Sequence, residues 1–190
     1  MPHKRPVPTT RGRLEFFSPL LRTLRDGGHT EPNFSVVATY ISAECRVGLT
    51  MSDPLAPDEF YFIYGKSPTV SHASTNSNNP VLAAINEFKE DIYKGVWINP
   101  DRAERLGIAH GDRILLTNTK PGQHTDGRAY VTRLVHPEVL FIYSSFGVEN
   151  KALSRTHGDG TATSRLIPYQ VDPVVAGFRS QEFTIRVAKA

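Results

Sequence analysis

Cysteine is nearly absent from the sequence, since Cys45 is the only one among 190 residues. A single cysteine excludes a disulfide within the chain, and it excludes zinc and iron–sulfur sites built from several thiolates. Long apolar stretches are also lacking, because no run approaches the ~18 residues of a membrane-spanning helix. The first ten residues contain no apolar core of the kind that defines a signal peptide. These absences do not indicate whether the protein works in a reducing or an oxidising compartment.

Familiar catalytic motifs are missing as well. The sequence contains neither a G-x-S-x-G elbow nor a Walker A motif. Its seven histidines never fall three or four residues apart, which excludes a metal pair on one helix face. The run Gly158–Thr163 resembles a dinucleotide fingerprint but lacks the third glycine. His72 has no local partners that indicate a hydrolase triad.

Composition and charge are typical of a globular domain. Hydrophobic residues make up 39% and charged residues 22% of the chain, and the formal net charge is +3. The length suits one domain with a substantial appendage. Four basic residues precede the first acid, Glu15, and such an arm is able to contact nucleic acid. A solvated end is the simpler explanation, and we expect no nucleic-acid partner.

The stretch Val96–Val131 organises the chain as strand, short helix, turn, strand, loop and strand. Asn99 is a suitable N-cap, Pro100 fits the first helical position, and Gly107 ends the helix. Such a short helix needs a sheet or barrel to pack on. The predicted strands of this stretch are Val96–Ile98, Ile114–Leu116 and the segment from Gly127 to Val131.

Other segments complete an expectation of six or seven short strands, two or three helices and two long polar loops. Ser35–Val47 fits either a strand or a helix. Further strands are predicted at Phe60–Tyr64, Val131–Val135, Val139–Tyr143 and Glu182–Val187. Helices are predicted from Pro19 to Arg25 and from Asn79 to Gly95, the latter with an apolar stripe at Val81, Leu82, Ile85, Phe88 and Ile92.

The polar run from Lys66 to Asn79 follows the strongest predicted strand. Long loops inside compact domains are often functional. Polar side chains and free backbone N–H groups at strand ends suit a ligand rich in heteroatoms and phosphates. A second polar segment, residues 144–168, has the same character.

Three pieces of sequence in order resemble a known family. They are the pattern W-I-N-P-x-x-A-x-x-L-G-I-x-x-G-D-x-I followed by V-T-x-x-V-H-P-E-V, the run FYFIYGKSPTVSHASTNSNN, and the ending G-D-G-T-A-T-S-R-L-I-P with D-P-V-V-A-G and E-F-T-I-R-V-A-K. Together they resemble the C-terminal domain of dimethyl-sulfoxide-reductase-family molybdenum oxidoreductases. The thiosulfate, polysulfide and tetrathionate reductase subunits are the most similar branch, although that branch often has an arginine where this chain has Ser74.

The resemblance implies a fold and a division of the chain. We expect a mixed α/β domain around a six-stranded double-psi β-barrel, similar to aspartate decarboxylase and the formate dehydrogenase C-terminal domain, with two or three peripheral helices. Residues 60–190 would form this molybdopterin-dinucleotide-binding domain. Residues 1–59 would form an N-terminal extension and lead-in segment, partly disordered or packed on the barrel.

The resemblance also implies the binding residues. In the family the loop after the first barrel strand and the loop before the last strand contact the molybdopterin guanine dinucleotide. Here these loops are Gly65–Asn79 and about Asn150–Gln170. The cofactor-binding residues carried over are Gly65, Lys66, Ser67, His72, Thr75, Asn76, Ser164 and Arg165, and no catalytic or metal-ligating residue is expected in this chain.

Parts of a complete enzyme are not expected within these residues. Molybdenum would be held mainly elsewhere, and an iron–sulfur cluster would belong to a separate N-terminal part. The partners implied are the remaining domains of the catalytic subunit, an iron–sulfur electron-transfer subunit and a membrane anchor subunit, in an extracytoplasmic, membrane-associated complex. The chain would be an excised domain or a split-gene subunit without turnover by itself.

Two other functions fit a double-psi barrel. A stand-alone binding or adaptor module would not need the two polar loops. A small decarboxylase-like enzyme would need a self-processing Gly-Ser site, and the chain has no Gly-Ser pair.

Overall fold

A computed structural model describes residues 7–9, 11–29, 35–40, 54–70, 79–119, 122–154, 157–171, 176–178, 180–181 and 183–190. The chain divides into two compact units, Met1–Ser52 and Asp53–Ala190. In the first unit, helix α1 (Pro19–Asp26) begins where Ser18 accepts a hydrogen bond from the Leu21 N–H at 3.2 Å, as the Ser-Pro pair predicts. Residues 41–47 of the undecided segment lie outside the described residues, and residues 35–40 form no regular strand or helix.

The second unit is a closed barrel of six strands in the order β1-β5-β2-β4-β3-β6. Two pairs, β1 with β5 and β2 with β4, are parallel, and the other four pairs are antiparallel. This is the mixed six-stranded double-psi β-barrel predicted from the sequence, and the prediction is confirmed. The strands are β1 (Glu59–Lys66), β2 (Val96–Ile98), β3 (Arg113–Asn118), β4 (His124–Val131), β5 (Val139–Ser144) and β6 (Thr184–Lys189).

Alternation of side chains along the strands fills the barrel. Phe60 and Phe62 on β1 are fully buried, whereas Ile63, the next residue along the strand, is 41% exposed. Side chains from every strand meet in one apolar cluster, which gives the barrel its hydrophobic core. The fully buried members with the largest side chains are Phe60, Phe62, Ile98, Ile114, Leu116, Leu140, Ile142, Leu166, Ile185 and Val96.

The central stretch folds largely as its sequence predicts. Helix α4 (Pro100–Arg105) has Asn99 as its N-cap, with the side-chain oxygen 3.0 Å from the Asp101 nitrogen. Gly107 follows with a φ of +65°, a conformation that favours glycine. The short helix packs on the barrel by burying Ala103 in the core cluster. It is therefore stabilised by tertiary contacts, as its length requires.

Three strand predictions from the sequence are wrong in part. Strand β6 is Thr184–Lys189 rather than Glu182–Val187, because Ala188 and Lys189 also pair with β3. Strand β4 begins at His124 rather than Gly127, because His124–Asp126 pair with the end of β3. Residues 132–135 form a turn rather than a strand. The Thr132 N–H still bonds to the Ile98 carbonyl, but the chain then turns away from β2.

The predicted single helix from Asn79 to Gly95 is also wrong. It forms two helices, α2 (Pro80–Phe88) and α3 (Glu90–Lys94), because Lys89 has the non-helical angles φ −128° and ψ 44°. The break lets α3 pack against β4 and β5. Asn79 caps α2 as predicted, accepting from the Val81 and Leu82 N–H groups at 3.1 Å each.

Arg102 joins helix α4 to the segment that enters the barrel. Its guanidinium donates to the carbonyls of Ala56, Pro57 and Glu59 at 2.8–3.1 Å, and it lies 4.4 Å from the centre of the Phe60 ring. Only 8% of the residue is exposed. Burial, with a smaller effect from Arg105, lowers its pKa from the ordinary value. The side chain supplies donors that no apolar residue can replace.

Gly147 fixes the long segment after β5 against the residues that precede the last strand. Its N–H donates to the Asp159 carbonyl at 2.6 Å, and Val148 and His157 form a parallel bridge beside it. A Cβ added to Gly147 would lie 2.4 Å from the Ala162 nitrogen, which is too close for any side chain. Since φ is +67°, glycine is favoured by conformation as well as by space.

Helix docking through Arg102 predicts a large loss of stability in an Arg102→Leu variant. Three partly buried carbonyls would lose a hydrogen bond from the guanidinium, so the free energy of unfolding should fall by about 3 kcal/mol. Chemical denaturation measures this change. Arg105→Leu, an exposed change on the same helix, should alter stability little, and equal losses in the two variants would contradict the docking role.

Crowding at Gly147 predicts that Gly147→Ala destabilises the chain by more than ~3 kcal/mol, because strain at positive φ adds to a backbone clash. Gly158→Ala is the matched control, since Gly158 has φ +69° but no atom within 4 Å of an added Cβ. That variant should lose only about 1–2 kcal/mol from conformation. Similar denaturation midpoints for the two variants would show that the close approach at Gly147 does not matter.

Candidate functional site at one end of the barrel

Strand directions bring the two predicted binding loops to the same end of the barrel. Strands β1 and β5 are parallel, and their last residues Lys66 and Ser144 are register partners. The end of β3 pairs with the start of β6 through Asn118 and Ile185. The segments after β1, after β5 and before β6 therefore meet at this end, which we call the loop end.

Gly65 and Lys66 lie at the edge of the loop end. A Cβ on Gly65 would approach the Phe141 ring to 3.3 Å, so the neighbouring ring leaves little room there. The Gly65 carbonyl accepts a hydrogen bond from the Ser144 hydroxyl at 3.1 Å, which joins the two parallel strands at their ends. Lys66 is exposed. Its ammonium group is thus available to a ligand at the loop end.

Ser67 differs from its neighbour, because it is only 3% exposed. Its hydroxyl lies 2.7 Å from the Thr69 hydroxyl and accepts from the Thr69 N–H at 3.3 Å. These contacts stabilise the turn after β1. The other predicted residues of this loop, His72, Thr75 and Asn76, lie outside the described residues.

Ser164 and Arg165 occupy a short 3-10 turn, Thr163–Arg165, and both are exposed. The next residue, Leu166, is fully buried, and its carbonyl accepts from the Asn118 side-chain nitrogen at 2.6 Å. This bond fixes the turn to the end of β3. Sequence reasoning missed Asn118, whose only signal was a polar residue at the end of an apolar strand.

Arg165 forms an ion pair with Glu149 across the second loop. The hydrogen bond from Arg165 lowers the pKa of the Glu149 carboxyl, and the same bond raises the pKa of Arg165. Both side chains are at least half exposed, so solvent screens the pair. Arg165 is therefore oriented by a weak contact and is able to meet an anion.

Ser145 begins the second loop with a φ of +82°. A residue with a side chain is uncommon in this left-handed region, and such residues concentrate at functional sites. Its position directly after Ser144 places this strained backbone at the loop end.

A groove with paired charges lies along the side of the barrel. It has a volume of about 780 Å³ and is lined by residues of α3, β4 and the segment Gly158–Thr161. The Lys94 ammonium lies 2.7 Å from Asp159 and 3.6 Å from Glu90. Three further basic residues, His110, Arg113 and Arg128, line the groove. Arg113 pairs with Asp126 at 3.0 Å, and Arg128 donates to the Gly111 carbonyl at 3.2 Å.

The donor set of the loop end fits a molybdopterin dinucleotide in its chemistry. Lys66 and Arg165 carry the positive charge that phosphates require. Hydroxyl groups of Ser144 and Ser164 and the backbone around Gly65 provide neutral polar groups beside them. Within the described residues, no group of three His, Cys, Asp or Glu side chains is placed to hold a metal ion, and no helix has the length and apolarity to cross a membrane.

Comparison with known proteins agrees with this geometry. Residues 60–183 match the family described as "Molydopterin dinucleotide binding domain". The chain is 32% identical over 117 residues to the thiosulfate reductase molybdopterin-containing subunit PhsA of Salmonella typhimurium, a match that covers 62% of the chain and 14% of that subunit. The chain therefore spans a small part of this relative's length.

The fold is shared with a solved structure of low sequence identity. Acetylene hydratase from Pelobacter acetylenicus superposes with a TM-score of 0.65 at 14% identity, over the whole of this chain and 25% of that protein. This likeness supports the fold alone. The family match extends over more than half of the chain, from β1 to the residue before β6. The resemblance predicted from the sequence is therefore confirmed, and the chain belongs to the family of molybdopterin dinucleotide binding domains.

Proposed function

We propose that this chain is the cofactor-binding domain of the catalytic part of a molybdenum oxidoreductase, and that it binds molybdopterin guanine dinucleotide at the loop end. The observation that carries the proposal is the meeting of both polar loops at one end of a barrel whose sequence matches the binding-domain family. When bound, the cofactor supplies the redox chemistry, and the protein supplies binding and orientation. The partners are the remaining domains of the catalytic subunit, with an iron–sulfur subunit and a membrane anchor subunit.

Each predicted residue has a chemical role in this proposal. Lys66 contributes a point charge to a phosphate, and Arg165 contributes a planar, multiply donating group. Gly65 lets the backbone approach the ligand. The hydroxyl, amide and imidazole groups that complete the set are those of His72, Thr75, Asn76 and Ser164.

Ser67 acts indirectly in this scheme. Its hydroxyl is buried and bonded to Thr69, so it shapes the turn that follows Lys66. Ser164 is exposed next to Arg165 and is able to donate or accept at the ligand. Each loop thus contributes one cation, Lys66 or Arg165, with polar groups next to it in sequence.

The substrate is proposed to be a sulfur oxyanion, with thiosulfate first and tetrathionate or polysulfide as related compounds. Support comes from the 32% identity to a thiosulfate reductase subunit. Reduction of such a compound needs the metal-bearing part of the enzyme, which these residues do not supply.

The substrate proposal predicts that the assembled oxidoreductase containing this chain oxidises a reduced viologen when thiosulfate is added. The rate of viologen bleaching measures the reaction, and the purified chain alone is the control without turnover. An assembled enzyme that is active on another substrate class but inert towards thiosulfate, tetrathionate and polysulfide would refute the sulfur assignment.

The binding site predicts that Lys66→Ala and Arg165→Ala each weaken cofactor binding by roughly 1.5–3 kcal/mol in the assembled enzyme, because each removes a charge-assisted contact. That loss corresponds to about 10- to 150-fold in affinity. Guanine nucleotide released by acid and molybdenum content per enzyme measure it. Lys151→Ala removes an exposed cation from the same loop region and should change neither value. Full occupancy in both test variants would refute the assignment of these loops to the cofactor.

A further inference from the structure

Asn86 is an unexpected residue in helix α2. It is only 2% exposed, whereas its apolar neighbours Val81, Ile85 and Phe88 are 67%, 43% and 81% exposed. Its side-chain nitrogen is buried and has no hydrogen-bond partner among the residues that the structure describes. A buried donor without a partner destabilises a fold, and an apolar side chain at this place would avoid the penalty. The presence of asparagine at this position must therefore be explained by its side-chain oxygen.

The side-chain oxygen of Asn86 accepts a hydrogen bond from the Thr69 hydroxyl. Thr69 in turn contacts the Ser67 hydroxyl at 2.7 Å, and the Val70 N–H bonds to the Ser67 carbonyl at 3.2 Å. Val70 is itself buried, at 6% exposure. A chain of polar contacts thus runs from helix α2 to the turn that directly follows Lys66.

The contact also bridges a long interval of sequence. Thr69 precedes residues 71–78, and Asn86 lies on the helix that follows them. Thr69 and Asn86 are 17 residues apart. Joining them fixes the turn Ser67–Val70 to the helix and so fixes the direction in which the chain leaves β1.

We propose that Asn86 is a positioning residue for the cofactor loop. It holds the turn Ser67–Val70 through Thr69, and this turn places the Lys66 ammonium at the loop end for a phosphate of the dinucleotide. The inference rests on the proposed function. The unpartnered nitrogen is retained because the oxygen on the same amide is needed as an acceptor, which leucine cannot provide.

A positioning role and a merely structural role predict opposite changes in Asn86→Leu. Leucine has a similar size and removes the unpartnered donor, so the thermal midpoint of the purified chain should stay constant or rise by about 2–6 °C. Because the turn loses its anchor, guanine nucleotide affinity of the assembled enzyme should fall about five- to tenfold. A structural role would instead lower the midpoint and leave the nucleotide content of the folded fraction unchanged, which would overturn the inference.

Variants of Thr69 test the path of the effect. Thr69→Val removes the hydroxyl at almost constant size and should reduce nucleotide affinity as Asn86→Leu does. Thr69→Ser keeps the hydroxyl and should leave nucleotide affinity close to that of the unaltered chain. Glu87→Leu, an exposed change next to Asn86, is the control that should leave affinity unchanged. Equal affinity in Thr69→Val and Thr69→Ser would also overturn the inference.

The double variant separates this inference from the proposed function. If Asn86 acts through Lys66, Lys66→Ala with Asn86→Leu should bind little more weakly than Lys66→Ala alone. Fully additive losses would reject the path through Lys66. If Lys66→Ala lowers nucleotide content but Asn86→Leu does not, only the positioning role fails. If none of these variants changes nucleotide content, the proposed function itself fails.

Discussion

Parallel pairing of β1 with β5 is the constraint on which the rest of the structure depends. Parallel neighbours point in one direction, so the chain must leave both strands at the same end of the barrel. Lys66 and Ser144 are register partners for this reason, although 77 residues lie between them in the sequence. The two polar loops converge because of this backbone pairing.

Barrel closure does not by itself determine the path of these loops. The apolar core continues past the strand ends through Leu166 and Phe183, and individual polar contacts hold the chain beside them. Asn118 bonds to the Leu166 carbonyl, Gly147 bonds to the Asp159 carbonyl, and Ser144 bonds to the Gly65 carbonyl. Each of these bonds satisfies a backbone group that would otherwise lose hydrogen bonds on burial. The fold is thus apolar inside and specified by polar contacts at the loop end.

Local sequence patterns predicted those parts of the fold that local physics decides. The Asn-Pro start and Gly end of α4, the aromatic run of β1 and the family motifs of the barrel were readable directly. The break at Lys89 and the turn at residues 132–135 were not, because packing against distant strands decides them. Within the site, Lys66 and Arg165 were predictable as cations on polar loops. Asn86 and Asn118 were not, since their partners lie 17 and 48 residues away.

The basic side chains of the barrel differ in how firmly they are paired. In the groove, the Lys94 side chain is only 10% exposed and lies 2.7 Å from Asp159, so an incoming anion would have to displace that carboxylate. At the loop end, Lys66 is exposed, and the pair between Arg165 and Glu149 is open to solvent. Under the proposed function, a phosphate would exchange with Glu149 at little cost, because an exposed ion pair contributes little to stability. Arg102 and Lys94 are thus largely buried cations with structural partners, whereas the proposed function assigns the exposed Lys66 and Arg165 to the ligand.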